Sequence, residues 1–151
     1  MGTLFFGMLF FSFIPFLVVL AVVGLSFRRS FSWATLGISL IPGAILGAVL
    51  LLGGEHFSWP DWVVVGLAFG IVAAGAILVG PRIGAGRWAA SGLGLILGSH
   101  LAAACYNYDV INSTDGQAMF WAMHLMVLWC IVGVPVLLSI VVLALMQRAK
   151  R

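Results

Sequence analysis

Residues 81–105 read "PRIGAGRWAASGLGLILGSHLAAAC": two arginines within six positions, then a run with no formal charge at all. A tryptophan, Trp88, stands where the charge stops, and Gly94, Gly98 and Ala102 follow at intervals of four. His100 is the one ionisable side chain inside the apolar part before Cys105. A run of this length is close to the roughly 20 apolar residues that a helix needs to cross a hydrocarbon core of about 30 Å. Whether it is a membrane span or the core helix of a soluble protein depends on its surroundings.

Those surroundings favour lipid. The chain has 151 residues, 64% hydrophobic and only 7% charged, too few polar groups to cover a soluble globule. Comparable apolar runs occupy 3–27, 34–54, 62–80 and 118–146, so with 88–105 there are five. The runs are long and continuous and lack the alternation of barrel strands, which selects helices. The sequence therefore predicts an all-α integral membrane protein, a compact bundle of five transmembrane helices forming a single polytopic domain over 1–151. Nothing is left over for an extramembrane domain. The first run resembles a signal peptide only in hydropathy: no basic residue precedes it and no convincing small-residue cleavage pattern follows, so a retained first span is expected.

Charge supplies the orientation. Arg28 and Arg29, Arg82 and Arg87, and Arg148, Lys150 and Arg151 occupy alternate connections, while Glu55, Asp61, Asp109 and Asp115 occupy the others. The positive-inside rule then places the N-terminus outside and the C-terminus in the cytosol, with the bacterial inner (plasma) membrane as the expected location. The net charge of +3 reads as orientation and not as nucleic-acid binding. Trp33 and Trp88 are expected at the inner interface and Trp59, Trp62 and Trp121 at the outer one, leaving Trp129 deep in a span.

The runs differ in texture. The first carries Phe5, Phe6, Phe10, Phe11, Phe13 and Phe16 with few glycines and is expected to face lipid or a partner protein. The middle three carry small residues at helical spacing, Gly43 and Gly47, Gly66 and Gly70, and Gly94, Gly98 and Ala102, the pattern that lets helix backbones approach closely in lipid. Pro15, Pro42 and Pro135 lie inside runs and should bend them or free a carbonyl one turn earlier. Ser58 ahead of Pro60 and Asp61, and Thr114 with Gln117 three residues on, have the composition of helix starts. Cys105 and Cys130 fall at different depths and are not expected to pair.

No run contains Asp, Glu, Lys or Arg, which removes the usual equipment of proton-coupled pumps and voltage sensors, and no catalytic signature is recognisable. Chemistry within the membrane would rest on His100 and His124. Each lies roughly 8–14 Å inside the outer end of its span, on helices expected to be antiparallel neighbours. Two neutral imidazoles at similar depth suit a b-type haem or a copper ion, with Met123 as an added thioether candidate. On a helical wheel, however, Gly94 and Gly98 point roughly opposite to His100, so a glycine contact and a histidine contact would engage different neighbours. Met119, Met123, Met126 and Cys130 form a stripe that His124 does not share, and packing explains methionines there more simply. Glu55, His56 and Asp61 on the outer side, with Asp109 or Asp115, have the ligand types for a divalent ion, but acidic residues in outer loops are ordinarily solvated. Asn112-Ser113-Thr114 matches a glycosylation acceptor, meaningful only in a eukaryotic secretory route.

The leading expectation is a non-enzymatic subunit that packs, in the lipid bilayer, against other membrane proteins or itself through these helix surfaces. No cofactor is required by that reading. A redox subunit holding haem b or copper through His100 and His124 is the first alternative. The second is a small-solute permeation protein lined by Ser39, Ser91, Ser99, His100 and His124.

Overall fold

The structure is a computed structural model that describes residues 13–56, 61–106 and 128–149. Every regular element among them is helical and no strand occurs. In chain order they are α1 (Ile14–Ser26), α2 (Trp33–His56), α3 (Asp61–Leu78), a short α4 (Gly80–Ile83), α5 (Ala85–Tyr106), a π-helical turn (Trp129–Gly133) and α6 (Val134–Ala149). Three are long and apolar enough to cross a membrane: the Trp33–Leu50 part of α2, α5, and the π-turn continued by α6. Ile14–Ser26 and Gly66–Leu78 are shorter apolar helices.

Local chemistry sets the boundaries. Ser32 caps α2: its hydroxyl accepts the Thr35 N–H at 3.2 Å and the Thr35 hydroxyl at 2.9 Å, satisfying a donor that the first turn leaves open. Pro15 is the second residue of described α1, and Phe13 before it is also helical. Pro42 is inside α2. α3 stops at Leu78, and Pro81 opens the short α4. Gly84, with φ of 84°, then turns the chain into α5 through a conformation that side chains with a Cβ rarely adopt.

Two registers order the bundle. Ser39 meets Ser91, Gly43 meets Leu95 and Gly47 meets Ser99; the partner is 52 residues later each time, so α2 and α5 run parallel. Against α6 and its π-turn the partners of Trp88, Gly92 and His100 are Ser139, Val136 and Trp129, with indices falling as the first rise. α5 and the C-terminal helix are therefore antiparallel.

α5 sits at the centre: 56% of its span is buried, against 39% for the C-terminal helix and 22% for α2. It is also the least apolar of the three, with a mean hydropathy of 1.4 against 2.7 and 1.8. That order is the reverse of a soluble protein. Lipid-facing helices need large apolar side chains, such as exposed Ile38, Ile41 and Ile45 of α2, while the inner helix needs small residues that admit neighbours on all sides. Leu93, Ile96, Ala89 and Ala90 of α5 are fully enclosed, packed with Val132, Val136 and Ile140.

One expectation changes here. Phe16 turns into this core and Phe13 is half-buried, so the described part of the first span does not present all its phenylalanines to lipid. Trp88, beside exposed Arg87, is half-buried, with its Nε1–H donating to Ser139 Oγ at 2.8 Å. Gly75 makes room for it, since a Cβ there would lie 2.8 Å from the indole. Trp33 does sit at the surface, 66% exposed and edge-on to Phe31. Trp88→Phe should lower stability by about 0.6 kcal/mol, and at most about 1.7, the range of interhelical hydrogen bonds in membranes. A double-mutant cycle with Ser139→Ala in thermal unfolding checks this; a coupling energy of zero contradicts it.

The same contacts gather the basic residues. A Cβ on Gly86 would run into Ser30, and one on Gly80 into Leu143, so the 27–30 turn, the α4 connection and the last turns of α6 lie at one end. Arg28, Arg29, Arg82, Arg87 and Arg148 are exposed there.

Candidate functional site

The α2–α5 seam is built from glycine against backbone. A Cβ added to Gly43 would lie 2.5 Å from the Leu95 carbonyl oxygen, and one on Gly47 2.7 Å from Ser99 Cα. From the other side, Gly94 faces the Leu36 carbonyl, and Gly98 faces the Leu40 carbonyl and, at 2.8 Å, the Ala44 nitrogen. Such approach is the main source of helix association where lipid is as apolar as the side chains. The Ser39 and Ser91 hydroxyls bond across the seam at 3.0 Å. Ala102 continues the stripe and is half-buried. Gly66 and Gly70 behave differently: both are exposed, and a Cβ at either would meet nothing within 4 Å. Among the described residues they form no close contact, because α3 turns that face away from α2, α5 and α6.

His100 looks away from the seam, as the wheel angle requires. It is 6% exposed, and its Nδ1 lies 2.8 Å from the Ile96 carbonyl oxygen one turn back. A carbonyl only accepts, so Nδ1 carries the proton and, in the neutral ring, Nε2 is a bare acceptor. Ser99 Oγ donates to the same carbonyl at 2.8 Å and lies 3.5 Å from Nδ1. The imidazole meets the Trp129 indole edge to face, centroids 5.3 Å apart at 64°. Both His100 Nε2 and Trp129 Nε1 are buried and have no hydrogen-bond partner among the described residues.

Trp129 owes its place to an irregular helix. The Val134 N–H bonds the Trp129 carbonyl, five residues back, so the turn holds one residue more than an α-turn. Pro135 follows directly and has no N–H, and its ring disfavours a normal carbonyl four residues earlier; the wide turn relieves that conflict. Gly133 completes the arrangement, since a Cβ there would strike the Trp129 ring. Wide turns of this kind often occur at functional positions.

A wholly apolar cleft of about 270 Å³ opens beside this region, walled by Leu46, Leu67, Ile71, Leu95, Val132 and Val136 among others. Val132 and Val136 stand three and seven residues after Trp129.

His124 and Met123 lie outside the described residues, as do Met119, Met126, Asp109, Asp115 and the Asn112 sequon. Among the described residues no three His, Cys, Asp or Glu side chains come together. Cys105 and Cys130 are exposed free thiols. Of the hydroxyl and histidine set expected around a solute path, Ser39 and Ser91 face each other across the seam, while His100 faces Trp129 on the other side of α5. These described members do not surround one passage. Sequence reading missed the His100–Trp129 contact. Its signal was there: a lone deep tryptophan with glycine four residues later and proline two beyond that. Comparison with known protein families, with curated protein sequences and with solved structures gives no match for this chain.

Proposed function

We propose that the chain crosses the membrane five times, N-terminus outside and basic end in the cytosol, and that it works as a structural subunit assembling with copies of itself. Helix direction supports the topology. α2 and α5 are parallel and long enough to span, so the segment between them has to return across the bilayer, and α3 with 18 residues reaches about 27 Å. The antiparallel C-terminal helix and the clustering of arginines at one end agree. Single cysteines beside Arg28 and Arg82, in a background free of Cys105 and Cys130, should react only with reagents that reach the cytosol. Cysteines beside His56 and Asn112 should react from outside. Labelling of the Asn112 position from the cytosolic face alone contradicts five crossings.

The observation that carries the function is the outer face of α3. Gly66 and Gly70 lie one turn apart with open space beside them, and exposed Leu67 and Ile71 flank them. The equivalent glycines of α2 and α5 are consumed inside the bundle. A bare backbone stripe against lipid forfeits packing that a leucine would make, whereas against the same stripe of a second copy it makes a self-complementary two-fold contact. The test is particle mass in mild detergent for the native chain and for the Gly66→Leu, Gly70→Leu double variant. The native chain should be oligomeric and the double variant monomeric with unchanged helix content. A native chain that is monomeric at every concentration, or a variant that assembles equally well, overturns the proposal, as does a stoichiometric complex in which a different protein covers this face.

A further inference from the structure

We infer that the His100–Trp129 contact is a binding site for one neutral hydroxyl group, carried either by a water molecule or by a membrane-soluble alcohol. The two unpartnered buried atoms there are of opposite kind. Nε2 of His100 accepts, because Nδ1–H is spent on the Ile96 carbonyl, whereas Nε1–H of Trp129 only donates. A carbonyl or an anion would satisfy the indole and leave the imidazole unmet. A cation or a metal ion would satisfy the imidazole and leave the indole facing like charge. A hydroxyl donates to one and accepts from the other. It also carries no net charge, which the surrounding Leu93, Ile96 and Val132 would disfavour.

The protein holds both rings in place for this contact. His100 is tied to its own helix by the Ile96 carbonyl. Trp129 lies against Gly133 within the wide turn and packs on the core that holds Val132 and Val136. Val132 and Val136, three and seven residues after Trp129, also wall the apolar cleft. An aliphatic alcohol has the matching form, with an alkyl chain for the cleft and a hydroxyl for the pair.

Nitrogen-15 NMR of the full chain in detergent micelles reads both atoms directly. One arm looks for cross-relaxation between the Trp129 indole proton and water. The other titrates 1-octanol against octane and follows the Trp129 Nε1 and His100 Nε2 resonances. Water as the source gives cross-relaxation without added alcohol. An amphiphile as the source gives a saturable shift of both resonances with 1-octanol and none with octane, weakened at least tenfold in His100→Phe. Because the native chain carries both readouts, misfolding of the variant does not blunt the test. No water contact together with no shift, or equal shifts with octanol and octane, overturns the site.

Discussion

Gly98→Leu should abolish the compact bundle under conditions in which Gly66→Leu is tolerated. The added side chain at residue 98 starts against the Leu40 carbonyl, with Ala44 N and Gly43 C at 2.8 and 3.0 Å from the first new carbon. All three are backbone atoms inside α2, so no rotamer change moves them aside and the two helices must separate. Overpacking typically costs about 1–3 kcal/mol where side chains can yield. Here the upper end is a minimum, because separation also breaks the neighbouring contacts of Gly43, Gly47 and Gly94. For a chain of this size about 3 kcal/mol corresponds to a melting temperature lower by roughly 6–12 °C. At Gly66 a Cβ meets nothing within 4 Å, and the change in monomer stability should stay within about 0.5 kcal/mol. Thermal unfolding in mild detergent distinguishes them, and equal melting temperatures would show that the α2–α5 seam is not the tight contact of the bundle.

Deleting Cys130 should be nearly as damaging, although its side chain is exposed and free. The wide turn carries one extra residue, and removing it turns everything N-terminal by about 100° relative to Val136 and Leu143. Either Trp129 swings off His100 or the rest of α6 leaves α5. The deletion also returns Pro135 to a regular helix, where its ring opposes the carbonyl four residues back at about 3 kcal/mol. Cys130→Ala keeps the turn and should change stability by no more than about 0.5 kcal/mol. A deletion variant as stable as Cys130→Ala would mean that the wide turn is dispensable.

The outcome at the glycines shows how far pattern reading reaches. Three stripes of the same spacing appear in three successive apolar runs, and nothing in the spacing separates them. In the structure those of α2 and α5 interlock, while that of α3 is open. The reason is that a stripe states what a helix face permits; which neighbour arrives depends on the directions and rotations of all the helices together. Trp88 makes the same point for the interface. Beside an arginine it has the sequence signature of a membrane anchor, and only the fold adds Gly75 and Ser139, from distant parts of the chain, as its neighbours.

What the sequence determined by itself was the solvent and the kind of element. Long uncharged runs leave a backbone in lipid no choice but to satisfy its hydrogen bonds within helices, and that constraint is local. It also determined that the His100 face and the glycine face of α5 would serve different neighbours, because the helical angle between two residues of one helix depends on nothing else. Only the tertiary structure decided that α2 takes the glycines and Trp129 the histidine, since that choice depends on contacts 52 and 29 residues away along the chain. The wide turn that aims Trp129 lies between these levels: Gly133 and Pro135 permit it locally, and packing against α5 selects it.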